Sequence, residues 1–409
     1  MELAHVVLRQ KLKGGFLESA TSRSRNRDLL REHAPTAQPA AAEPRPDPGA
    51  IALDVDVMSP QRAARLQQER GVLAVALAIP MKLIEPLDIA APADPLTNGS
   101  TWGIKAVRAD LSTLTGANVT VAVLDTGIAT HPAFAGITIV RKNFTTGPDS
   151  DVRGHGTHCA GTIFGADVDG IRIGIARGVK KALIGKVLGP DGGGSDTIAR
   201  AIQWAIEEGA HIISMSLGID FPGLVATLQA KGYPAESATS VALEGYRKNV
   251  ILFDSLAGLA TARGLFGDPC LLVAAAGNES RRDQEQPLEI AVSPPAVAEG
   301  VISVAALGRG DKGLSIASFS NTGAIVAGPG VGVLSSKIGG GLTPKSGTSM
   351  ATPHVAGVAA LWAEKLMRLN QFKMPAFRIR FLGSATQDGL ADGFDSDDVG
   401  SGIVAAPPN

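Results

Sequence analysis

Three short stretches hold residue types that can do chemistry together. NVTVAVLDTGIATHP carries Asp125, GHGTHCAGTIFG carries His155, and SGTSMATPHVAGVAALWAEKL carries Ser349. A serine hydroxyl is a poor nucleophile until a base takes its proton and a third group fixes that base. An acid, an imidazole and a hydroxyl supply that set. Each residue also has a plainer reading: Asp125 as a turn-former, His155 as a buried histidine, Ser349 as a helix N-cap. His155 and His158, with Asp125, admit a metallohydrolase as a rival. No third ligand with supporting partners is evident beside the two histidines.

The elements that must position these groups are legible. Val119 to Leu124 is a continuous apolar run, the mark of a strand buried on both faces, and Asp125 follows at its carboxyl end. Catalytic groups of open α/β sheets gather at that end of the strands. Gly154 and Gly156 flank His155 and let the chain turn tightly into a small-residue helix. Ser349 opens another helix, whose terminal N–H groups and dipole favour an anion developing beside it. From about residue 95 onward, apolar strands alternate with helical segments, which predicts a parallel sheet with helices on both faces.

DTGIATHP, GHGTHCAGT and SGTSMATPHVAG, in the order Asp, His, Ser, resemble the three active-site signatures of subtilases nearly residue for residue. The cysteine after His158 is similar to the proteinase K branch. The resemblance implies a three-layer subtilisin-like α/β fold with a mostly parallel central sheet. It implies that Ser349 attacks a peptide carbonyl, His155 carries the proton and Asp125 orients the imidazole. In VAAAGNES it marks Asn278 as the oxyanion-hole side chain. It gives Ser216, Leu217 and Gly218 as one edge of the cleft and Gly192, Gly193 and Gly194 as the other, so that a peptide would lie between them as an added strand. Ala275, Ala276 and Gly277 match the wall of a roomy S1 pocket, which implies broad cleavage after apolar residues. The intact GHGTH argues against the sedolisin relatives, which replace this histidine with glutamate. A silent binding protein on the same scaffold would require a missing triad or oxyanion residue, and none is missing.

Residues 51–90 read as a small α+β module: a strand IALDVDV, a helix opened by Ser59-Pro60, and one strand VLAVALAIPMKLIE. The module resembles the inhibitory prodomain of subtilases, which implies a zymogen cut somewhere in 86–100. In front of it, residues 1–33 read as a polar tail and 34–50 as a Pro/Ala-rich linker. Residues 91–409 form the expected catalytic domain. Its 219–270 region is longer than the family pattern and holds a helix over 235–248 and an apolar segment over 250–262. A surface helical hairpin of structural use is expected there.

The net charge of −1 gives no footprint for nucleic acid or an anionic membrane. A protein or peptide substrate and the chain's own N-terminal segment are the expected partners, and a monomer is the expected state. Two cysteines, Cys159 and Cys270, make no disulfide framework. No secretory signal is read in the first 31 residues and no membrane span anywhere, which points to the cytoplasm or to unconventional export. The chemistry needs no cofactor. Structural calcium agrees with the resemblance, with Asp167 and Asp169 as candidate ligands. The acidic cluster 392–398 lacks the glycine and distal glutamate of an EF-hand and reads as a solvated turn.

Overall fold

The polar-looking N-terminus begins with a strand. The structure, a computed structural model, describes residues 2–12, 46–87, 99–190, 192–266 and 269–409. Leu3–Leu12 forms β1, Pro46–Met58 β2, Pro60–Leu66 α1 and Val72–Leu77 β3. These strands make an antiparallel sheet in the order β2-β1-β3. The expected tail and linker are therefore corrected at both ends, because β1 is the central strand of this sheet and β2 starts at Pro46. The alternation of a half-buried strand accounts for it. Val6 and Leu8 join the main core, while Val7 joins Met58, Leu66 and Val75 in a small cluster under α1. The flanking charges hid only three consecutive apolar residues. Ser59 caps α1, its hydroxyl accepting from Arg62 N–H at 3.3 Å.

The single strand expected over 72–85 is broken in two. After β3 the chain turns at Ala78-Ile79, and Pro80–Leu83 forms β4 in a different sheet. Next come Trp102–Ala106 (α2), Thr120–Asp125 (β5), Thr138–Asn143 (β6), His155–Phe164 (α3), Lys181–Lys186 (β7), Gly193–Gly194 (β8) and Ser195–Glu207 (α4). Ile212–Met215 (β9) and Leu217–Ile219 (β10) precede two helices, Phe221–Ala230 (α5) and Ala235–Phe266 (α6). Then follow Leu271–Ala275 (β11), Val301–Gly310 (β12), Gly313–Ile316 (β13), Val326–Pro329 (β14), Val333–Ser336 (β15) and Leu342–Lys345 (β16). Thr348–Arg368 (α7), Met374–Leu382 (α8) and Ser396–Val399 (α9) complete the chain.

The central sheet runs β13-β12-β11-β9-β5-β7-β6, with β14 on β12. Every pairing in it is parallel except β12 with β13. Helices α3 and α7 pack on each other and on the sheet, as do α4 and α6. The apolar run of β5 is buried throughout, which sets Asp125 at the end of a rigid central strand. In α7 the small residues do the same for Ser349: a Cβ at Gly357 would lie 2.5 Å from that of Ile175.

The 219–270 region holds one long helix rather than a short one followed by an apolar segment. Residues 250–262 continue α6, and Leu252, Phe253, Leu256 and Ala260 are buried. This helix packs against β2 and β3 as well as against β11. Asn249, fully buried on it, donates its amide to the Leu77 carbonyl at 2.8 Å. Helix α6 is thus the platform on which the N-terminal sheet rests.

Candidate active site

Asp125, His155 and Ser349 come together from three elements. Asp125 ends β5, His155 is the first residue of α3, and Ser349 lies in the first turn of α7. All three are buried. His155 Nδ1–H donates to Asp125 Oδ1 at 2.8 Å and to Oδ2 at 3.0 Å. The glycines about His155 have separate duties. Gly154 caps α3 in the left-handed region at φ +80°, where a side chain would be strained. A Cβ on Gly156 would stand 2.2 Å from the Gly127 carbonyl.

A buried aspartate holds this loop. The carboxylate of Asp151 accepts from Thr126 Oγ1, Arg153 N, Gly154 N, Thr157 N and Thr157 Oγ1, all at 2.7 to 2.9 Å. Sequence reasoning missed it. Its signal is an acid four residues before the histidine, too common a spacing to stand out.

Burial opposes charge on His155, but the Asp125 carboxylate, by its charge and its hydrogen bond, raises the imidazole well above its usual 6.5. The neighbouring thiol of Cys159 is itself pushed up by burial, so it stays neutral and Asp125 carries the effect. Cys159 reaches the site for a backbone reason. Pro353 has no N–H to give to the carbonyl of Ser349 one turn earlier. That carbonyl instead accepts from Cys159 Sγ at 3.4 Å and Ser216 Oγ at 3.3 Å. Both cysteines are free and buried.

His158 has another task. Its Nε2–H donates to the carbonyls of Val333 and Thr343 at 2.9 and 3.1 Å, tying α3 to β15 and β16. Burial first, then the charges of Lys345 and His155, lower its pKa to about 3. It does not join Asp125 and His155, so the histidine pair expected of a metallohydrolase does not form. Among the described residues the potential ligand groups that do cluster are Asp125, His155 and Cys159. Asp167, a candidate calcium ligand, takes the guanidinium of Arg177 at 2.8 and 3.0 Å. Asp169 occupies a left-handed turn at φ 50°. In the 392–398 cluster, Asp398 pairs with Arg282 and Asp395 caps α9.

Asn278 is fixed by its oxygen. Oδ1 accepts from the N–H and the hydroxyl of Thr348, both at 2.9 Å, which leaves Nδ2 pointing into the cleft. There it donates to the Glu85 carbonyl at 2.9 Å. The cleft holds a segment of the chain itself, which the sequence had assigned to the N-terminal module. β4 lies antiparallel between β10 and β8. Leu217 is opposite Leu83 and Gly218 opposite Lys82, while Gly193 and Gly194 face Met81 and Pro80. Ser216 O accepts from Ile84 N–H at 3.4 Å, and Gly192 joins Gly189 just before β8. Both expected edges of the cleft are thus brought together around one strand. A Cβ on Gly218 would lie 3.8 Å from the Ile84 side chain and 3.4 Å from Ser293 Oγ, so Ile84 is buried beside that edge. Ala275 ends β11, Ala276 bonds Val304 and Asn321, and Gly277 N–H donates to Thr348 Oγ1 at 3.2 Å.

At the centre the strap Pro80–Leu87 meets Ser349. Ser349 Oγ–H donates to the Ile84 carbonyl at 2.9 Å. Among the described residues His155 Nε2 makes no hydrogen bond. Beyond Ile84, Glu85 pairs with Arg153, and Leu87 N–H donates to Ser346 O at 2.9 Å.

A parallel α/β sheet with an acid at a strand end, an imidazole and a serine at helix starts, and an edge-paired peptide across them make up an architecture of the subtilisin type. The chain belongs to the subtilase family, whose model matches residues 116–389. It is 37% identical over 274 residues to M-protease of Shouchella clausii, covering 64% of this chain and 60% of that protein. It is 36% identical to Subtilisin BL of Lederbergia lenta, covering 64% and 84%. Among solved structures it is similar to fervidolysin of Fervidobacterium pennivorans, a keratinolytic enzyme related to subtilisin. That match has a TM-score of 0.60 and 25% identity, and covers 82% of this chain and 52% of the other. Among the described residues no helix is long and apolar enough to cross a membrane.

Proposed function

We propose that the chain hydrolyses internal peptide bonds through an acyl-enzyme, with Ser349 as nucleophile, His155 as base and acid, and Asp125 as the group that orients and stabilises the imidazolium. Ser349 Oγ adds to the carbonyl carbon while its proton passes to His155 Nε2. The oxyanion takes Asn278 Nδ2–H and the N–H of Ser349 at the start of α7. Collapse expels the amine, which receives the proton from His155. Water then repeats the sequence on the ester and frees the carboxylate. The observation that carries this reading is the strap, an extended peptide with one carbonyl 2.9 Å from the serine hydroxyl and the next 2.9 Å from Asn278.

The strap also supports a restrained state. The Ser349 proton is given to Ile84 O rather than to His155, so the nucleophile is not coupled to its base. The carbonyl on Asn278 belongs to Glu85, one residue past the one that faces the serine. The segment therefore lies in the cleft as a peptide would, yet out of frame for attack. We read the N-terminal sheet and strap as an inhibitory prodomain, with maturation by a cut within 86–100, most of which lies outside the described residues. The buried Ile84 supports an apolar S1 preference, and Cys159 supports kinship with the proteinase K branch. Structural calcium stays part of the proposal without assigned ligands.

Labelling with a fluorophosphonate, mapped by peptide mass, tests the nucleophile. Modification of Ser349 that disappears in Ser349→Ala is expected. Modification elsewhere, with Ser349 untouched in a folded and unrestrained chain, would overturn the reading.

A further inference from the structure

Lys82 lies on the strap two residues before Ile84, and its ammonium sits between two carboxylates of the catalytic unit. Nζ is 3.6 Å from Asp220 Oδ1 and 3.6 Å from Glu279 Oε1. Asp220 N–H donates to the Pro80 carbonyl of the strap at 3.1 Å, but each carboxylate also has a partner within the catalytic unit. Asp220 caps α5, accepting from Gly223 N–H, and Glu279 Oε2 accepts from Asn321 Nδ2 at 2.8 Å. Glu279 directly follows Asn278, and Asp220 directly follows β10, the edge that pairs with the bound peptide. A peptide displacing β4 on that edge would bring its own side chain to the same spot, opposite Gly218. We propose that Asp220 and Glu279 form a cation-selective subsite, so that the enzyme prefers substrates with Lys or Arg two residues before the residue that fills the apolar S1 pocket. The proposal rests on the reading of β4 as a peptide laid in the substrate groove.

All three groups are partly exposed, at 41% for Lys82, 33% for Asp220 and 42% for Glu279. Water therefore screens the attraction, and the preference should be about three- to tenfold. It should shrink at high salt, where the screening length falls to about 3 Å.

The test uses the full chain and quenched peptides of sequence Pro-Met-Xaa-Leu-Ile followed by Ala-Ser, with Xaa as Lys, Ala or Glu. The expected ranking in kcat/KM is Lys over Ala over Glu, and it should flatten in the Asp220→Asn, Glu279→Gln double variant. Equal rates for the three peptides in the wild type would overturn the subsite and leave the peptidase standing, since turnover itself is seen. If the strap blocks turnover, the Lys82→Glu full chain is assayed with the same peptides. Its strap loses both ion pairs, and turnover ranked by Xaa supports the subsite, whereas turnover without ranking overturns it. No turnover in either chain, with Ser349 still unreactive to a fluorophosphonate once the strap is freed by cleavage or by Met81→Ala in a folded chain, would overturn the peptidase and the subsite together.

Discussion

If the strap restrains the enzyme, loosening it away from the catalytic residues should expose Ser349. Met81 suits this purpose. It lies on β4, is 2% exposed, and pairs with Ile219 on one side and Gly193 on the other. Truncating a buried methionine to alanine costs about 2–5 kcal/mol, depending on how far the site collapses. The strap is a short segment laid in a groove rather than part of the main sheet, so the low end, about 2 kcal/mol, is the fitting figure. At 1.4 kcal/mol per factor of ten, the open population rises about 30-fold. A small probe reacts with Ser349 only in the open state, so its labelling rate should rise by the same factor. The assay is the initial rate of fluorophosphonate labelling of wild type and Met81→Ala. The same truncation at Met374 on α8, 4% exposed and outside the cleft, is the control for lost global stability. Equal rates for Met81→Ala and wild type, or equal acceleration by Met374→Ala, would refute the reasoning.

Asp125→Asn should keep the fold and lower kcat about ten-thousandfold, since the amide presents the wrong partner to His155 Nδ1; a fall below tenfold in peptide hydrolysis would contradict its role. Because Asp125 raises the His155 pKa and only the neutral imidazole is a base, kcat/KM should climb as pH rises through a value above 6.5, with the loss on the acidic side. A pH–rate profile on the Met81→Ala chain with its acidic limb at or below 6.5 would count against that. Asp151→Ala removes the acceptor of three backbone N–H groups and two hydroxyl bonds in a buried loop. It should cost about 3–5 kcal/mol in denaturant unfolding, and a cost under about 1 kcal/mol would show that water replaces the carboxylate.

The sequence carried the catalytic core further than the appendages, for physical reasons. Val121 to Leu124 reads as a buried parallel strand because both its faces are covered, and Asp125 at its end follows from strand geometry. The glycines around His155 are legible because only that residue fits where the Gly127 carbonyl comes within reach. The N-terminal sheet was hidden because the longest apolar run of β1 is Val6, Val7 and Leu8, interrupted by His5 and by Arg9 to Lys11, and its partner β2 stands more than thirty residues away. Pro80 offered a visible break in the run 72–85. That the chain after it leaves one sheet for another depends on the cleft between β8 and β10, assembled from residues over a hundred positions later. The α6 helix was split at Asn249, whose polarity looks like an interruption until its amide meets the Leu77 carbonyl.

The most direct test of the whole account compares hydrolysis of denatured casein by the Met81→Ala chain and by the same chain carrying Ser349→Ala. The account predicts cleavage by the first and none above background by the second, with both chains folded. Undiminished cleavage after Ser349 is removed would contradict it.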